Sequence, residues 1–281
     1  YVVIGAGKTG MDACLFLLKN EVDPERIRWI MPRDSWMLDR ANIQPGELFA
    51  QSIGRGFALQ AEAIAAAESV DDLFARTEAA GQLLRLDPAI RPTMYRCATV
   101  TKAELEQLRR ITGIIRLGRV QRIEAEEIVL DEGSIPTDAR TLQVDCSADG
   151  LERRPVAPVF AGSSITLQAV RTCQQVFSAA FIGHVEASYS DEQTKNELCT
   201  PVPHPDSDID FLRTALANNL NTMRWAADTE LQGWLQDARL NGFSRPDSAA
   251  DDPEAQAMVE KLISNTVAAT QNLQRFLSEL D

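Results

Sequence analysis

The sequence predicts an α/β fold: a strand–helix–strand unit leads, a helical insertion around residues 47–112 follows, and a mainly helical C-terminal region closes the chain. Three observations carry this. Tyr1-Val-Val-Ile4 is a short apolar run of the kind that forms a buried strand, and it stops at Gly5. Met11, Cys14, Leu15 and Leu18 then recur at helical spacing before Asp23-Pro24 breaks the segment. Ile27 to Met31 supplies a second apolar run, ended by Pro32. With 44% hydrophobic and 25% charged residues over 281 positions, the composition suits a packed globular chain.

The remaining elements follow in order. Gln60 to Glu68 and Val70 to Leu84 are rich in helix-favouring residues, and residues 102–110 predict a further helix. Asp87-Pro88 and Pro92 punctuate this stretch. Strand character returns at Ile114 to Val120, Arg122 to Val129 and Ile135, with residues 132–136 read as the turn between short strands. Leu142 to Asp145 predicts another strand, leading into Cys146 to Gly150. Beyond it come a strand at 159–161, a helix at 165–183 and a proline-rich linker at Pro201 to Pro205. Helices are then expected over 208–242 and 253–280, separated by a polar loop.

Gly5-Ala6-Gly7-Lys8-Thr9-Gly10 sits between the first strand and the first helix and fits G-x-G-x-x-G. The first glycine permits the tight turn, the second admits a pyrophosphate to the backbone, and the third lets helix pack on strand. The positive end of the helix then faces the anion. A Walker A loop is a poor competitor, because Lys8 precedes Gly10 instead of following it. Gly5, Ala6, Gly7, Lys8, Thr9 and Gly10 are therefore the expected cofactor-binding residues of a Rossmann-like dinucleotide-binding domain over 1–150. After the second strand, Met31-Pro32-Arg33-Asp34 offers both an arginine for a 2′-phosphate and an acid for a ribose hydroxyl. Arg33 comes first and Arg40 lies close behind, so the reading favours NADP, with NAD still open.

Several classes are disfavoured. A net charge of −13 opposes a nucleic-acid partner and docking on an anionic membrane. The five cysteines form no CxxC pair, and with only two histidines no metal site is expected. No apolar run is long enough to span a bilayer, which predicts a soluble, cytoplasmic protein acting on a small-molecule substrate. No triad or carboxylate pair stands out, and no catalytic side chain is nominated.

The runs VVIGAGKTGMDACLFLL and IRWIMPRDSWMLDR resemble the second nucleotide-binding domain of flavin-containing monooxygenases and their relatives, the pyridine nucleotide-disulfide oxidoreductase-like flavoproteins. In that family the NADP domain is inserted within an FAD domain. Thr141 to Gly150 is similar to the strand and turn by which the chain returns, and Ser164 to Arg171 and Val176 to Ala180 resemble the rest of the FAD side. The resemblance implies three parts: the domain over 1–150, an FAD-domain return segment at 151–195, and a helical region at 196–281. It also implies hydride transfer from NADPH to FAD, a reaction carried by the cofactors. The family's N-terminal FAD fingerprint is absent, so the expectation is a fragment, inactive alone, whose partner is the missing FAD-binding segment. Two other readings stay open: a flavin-free NADP-dependent dehydrogenase and a non-catalytic NADP-binding module.

Overall fold

A computed structural model describes residues 1–44, 49–150, 154–241 and 253–280. In chain order the first half contains β1 (Val2–Ile4), α1 (Lys8–Lys19), β2 (Arg28–Ile30), β3 (Ser35–Asp39), α2 (Ala50–Ala65) and α3 (Val70–Ala79). Next come β4 (Leu83–Leu84), β5 (Met94–Val100), α4 (Lys102–Leu108) and β6 (Gly113–Ile115). The strands β7 (Val120–Ile123), β8 (Glu127–Leu130), β9 (Gly133–Pro136) and β10 (Gln143–Asp145) follow. Among the described residues there follow a short hairpin, β11 (Phe160–Ala161) and β12 (Ser164–Ile165), and the α-helices α5 (Gln175–Ser188), α6 (Glu192–Leu198), α7 (Ile209–Ala226), α8 (Thr229–Asp237) and α9 (Pro253–Leu280).

The chain is mixed α/β and divides into two compact units. The first takes residues 1–40, 84–152 and 206–208; the second takes 41–83, 153–205 and 209–281.

The first unit is built on a parallel sheet of order β10-β1-β2-β6. All three residues of β1 are buried, as a parallel strand covered on both faces requires. The period of two sends alternate side chains to opposite layers. Val3, Trp29 and Met31 join Met11, Cys14 and Leu17 of α1 in one core. Val2, Ile4 and Ile30 pack on Ile128 and Leu130 of β8 in the other. The second layer is the antiparallel meander β7-β8-β9, so the connection from β6 to β10 is made of strands. The segment 132–136, read as a turn with strand character at Ile135, is largely β9.

The helical stretch expected around 47–112 is only partly helical. Residues 94–100 form β5, which pairs in parallel with β3. Its Met-Tyr-Arg-Cys-Ala-Thr-Val is rich in strand-favouring residues, but a register shift disrupts the alternation. Cys97, inside that shift, has φ of 55°. The α2–α3 portion of the stretch, residues 50–79, belongs to the second unit.

In the second unit, Phe177 and Phe181 of α5 meet Trp225 of α7, with Phe181 and Trp225 ring centroids 4.5 Å apart. Buried Asn221 donates from Nδ2 to the carbonyls of Val170 and Thr200, at 2.9 and 2.8 Å. Helix α9 packs against α2 and α7. Its Asn272 donates to the carbonyls of Ile64 and Ala67, at 2.8 and 2.7 Å, and so ties α9 to the C-terminal end of α2. The helix expected over 165–183 begins only at Gln175. Cys173 just before it has φ of 55°, which no helix accommodates. Among the described residues, no helix is long and apolar enough to cross a membrane.

Candidate functional site

The turn from β1 into α1 gives each glycine of the fingerprint a separate role. Gly5 has φ of +122°, and a Cβ there would lie 2.5 Å from the Cys146 carbonyl oxygen. Only a residue without a side chain fits where the end of β1 passes this close to the end of β10. A Cβ on Gly10 would collide with the Gly5 carbonyl, so α1 can approach β1 only through glycine. A Cβ on Gly7 would meet nothing within 4 Å. The space beside the second glycine is open, and its backbone, at φ −80°, imposes no glycine requirement of its own.

Packing fixes the turn from below. The Gly5 amide donates to the Ile30 carbonyl at 3.0 Å, and the Cys146 amide donates to Ile4 at 2.8 Å. Trp29 is fully buried, and its Nε1 donates to the Gly5 carbonyl at 2.8 Å. Trp29 thus both packs in the core and anchors the loop. Gly7 caps α1 without any side-chain hydrogen bond, and no acidic residue stands in the first turn. The amides of that turn are therefore left to an external acceptor, with the helix dipole behind them. The ammonium of Lys8 pairs with Asp12 one turn along. Cys14, buried beneath the turn, has its thiol pushed up to about 12 by desolvation and the nearby Cys146, so it is not a nucleophile at neutral pH.

The polar residues expected to read the cofactor are all engaged within the first unit. Arg33 Nη2 donates to Asp206 Oδ1 at 2.9 Å. The same oxygen accepts from Arg96 Nε at 2.7 Å, and Arg96 Nη2 also reaches Asp149 at 3.6 Å. Asp34, expected as a possible ribose acceptor, is buried and accepts both bonds of a fork from Arg116: Nε to Oδ2 at 2.7 Å, Nη2 to Oδ1 at 3.0 Å. This bond to Asp34 raises the Arg116 pKa above its ordinary value. Arg40 Nη2 lies 3.4 Å from Glu104 Oε2 on α4.

Sequence reasoning missed Arg96, Arg116 and Asp206. Arg116 had a local signal, since it directly follows β6 and so stands at the carboxyl end of the sheet. Arg96 lay in a stretch read as helical, and Asp206 followed a segment read as linker. Segment 206–208 instead lies along β5: the Tyr95 amide donates to the Asp206 carbonyl at 3.0 Å, and Ser207 bridges Met94. Arg91 Nη1 donates to Asp208 Oδ2 at 2.6 Å. Asp145 ends β10 in a turn, accepting from the Ser147 amide at 2.9 Å and its hydroxyl at 2.6 Å. Those bonds hold its carboxyl below the usual carboxylate range.

The chain is similar to an uncharacterized protein of Mycobacterium tuberculosis, 58% identical over 241 residues. An uncharacterized protein of Mycobacterium bovis matches with the same identity and span. The alignment covers 86% of this chain and 45% of each relative, so the chain spans about half the length of the proteins it matches. No family model matches the chain. No solved structure matches it.

Proposed function

We propose that the first unit is a Rossmann-like domain that binds NADPH within a longer flavin-dependent oxidoreductase. The observation that carries this reading is the glycine turn. Two of its glycines are required by packing, while the middle one borders open space under an uncapped helix end. That is the arrangement a pyrophosphate needs. The strand order supports the same reading. From β6 to β10 it runs 3-2-1-4 by order of appearance in the sheet, with the reversal between β1 and β10. Open α/β sheets bind ligands at that switch point, outside the carboxyl ends of the strands.

In this reading the α1 amides hold the pyrophosphate and Arg33 meets the 2′-phosphate, so the chain orients the nucleotide. Bound nicotinamide supplies the hydride, and the flavin that accepts it is proposed for the longer protein. Arg33→Ala should weaken NADPH binding about tenfold or more, the scale of a charged hydrogen bond, while NADH changes little. Side-by-side titrations followed by tryptophan fluorescence read this out, because Trp29 is bonded to the turn. Equal losses for both nucleotides would reject the Arg33 assignment.

A further inference from the structure

Two guanidinium groups converge on one carboxylate oxygen close to the proposed nucleotide site. Asp206 Oδ1 accepts from Arg33 Nη2 at 2.9 Å and from Arg96 Nε at 2.7 Å, with Arg96 Nη2 at 2.6 Å. An anionic oxygen gripped by paired arginines is the pattern with which proteins hold a phosphate. Here the anion belongs to the chain itself.

The placement follows from the sheet. β1 lies between β10 and β2, and all three run parallel, so their carboxyl ends share one edge. Arg33 stands three residues beyond the end of β2, and Asp149 four beyond the end of β10. Asp149, Arg96, Asp206 and Arg33 therefore form an arch from the loop after β10 to the loop after β2. It crosses about 10 Å, two strand spacings, at the edge from which the glycine turn leaves β1. The acid is held there by main-chain bonds: Tyr95 N to Asp206 O at 3.0 Å and Asp208 N to Thr93 O at 3.2 Å. None of the four side chains is fully buried; relative exposures run from 24% to 40%. A ligand anion can therefore reach the cluster.

We infer that Asp206 is an internal competitor for the 2′-phosphate: it occupies the Arg33–Arg96 pair and thereby sets how strongly the site prefers NADPH over NADH. This rests on the nucleotide-binding reading above. NADPH must displace the Asp206 carboxylate to reach both arginines, whereas NADH leaves the ion pairs intact. The segment 206–208 thus lowers the NADPH preference that the arginines alone would give.

The test is to titrate the full chain and its Asp206→Asn variant with NADPH and with NADH. The neutral, isosteric side chain should tighten NADPH about tenfold and leave NADH within about twofold, the scale of one charged hydrogen bond. Asp206→Glu, which keeps the charge, should stay near the parent ratio. In an Arg33→Ala background the gain from Asp206→Asn should shrink, because the acid then has one partner fewer to mask. Asp149→Asn, in an exposed loop, tests the same arch without touching segment 206–208 and should shift the ratio the same way by a smaller factor. That variant decides the matter if Asp206→Asn does not fold. Both nucleotides binding with an unchanged ratio in the folded variants would overturn the inference and leave the nucleotide reading standing; the arch would then be a structural tether. Failure of every folded protein, parent included, to bind either nucleotide would overturn both.

Discussion

Gly7→Val should abolish binding of NADPH and NADH alike while leaving the fold intact. The two halves of that expectation have separate causes. Gly7 has an ordinary negative φ, and a Cβ there meets no atom within 4 Å, so unfolding free energy should move by less than about 1 kcal/mol. The same empty volume is where the proposed pyrophosphate lies against the amides of α1, and a branched side chain fills it. A loss of at least a hundredfold in affinity is expected, since the nucleotide forfeits both its fit and its charged hydrogen bonds. Gly10→Ala is the contrasting control. Its Cβ collides with the Gly5 carbonyl, so α1 must shift off β1, and a loss of about 3 kcal/mol is expected. Denaturant unfolding of the two variants, with nucleotide titration of Gly7→Val, checks both halves. Retained binding in Gly7→Val would sink the placement of the cofactor over this turn.

The second large effect is expected at Arg116. Its guanidinium is forked onto Asp34, whose side chain is 4% exposed, and it also lies 3.5 Å from Asp87. Removing the arginine leaves a buried carboxylate without its cation, which typically costs 3–5 kcal/mol. Arg116→Leu should therefore lose about 3 kcal/mol or more in urea unfolding. Asp34→Asn in the same chain should restore part of the loss by removing the stranded charge. A loss under about 1 kcal/mol would mean that the pair is solvated and weak. The result also bears on cofactor choice. Asp34 is tied to Arg116 as Arg33 is tied to Asp206, and the proposed reading takes Arg33 as the residue that discriminates beyond β2.

The sequence by itself determined the glycine turn and the strand–helix–strand unit around it. Val2 to Ile4, α1 and β2 are specified by short-range signals: an apolar run, a 3.6-residue period and an Asp-Pro stop, all within 32 residues. Nearest neighbours decide those elements. The strand β5 was not legible, because the register shift at Cys97 interrupts its alternation and its pairing with β3 spans about sixty residues. Nor was the start of α5, because one backbone angle at Cys173 ends the approach to that helix.

Only the tertiary structure decided the electrostatics of the site. Arg33, Arg96, Asp149 and Asp206 are scattered over 174 positions, and no local pattern marks an acid at 206 as the partner of an arginine at 33. Asp206 reaches Arg33 because main-chain bonds lay segment 206–208 along β5. Backbone periodicity announces an element to its own neighbours in the chain. The partner of a side-chain charge is set by where long-range pairing brings distant segments together, and that information exists only in the folded chain.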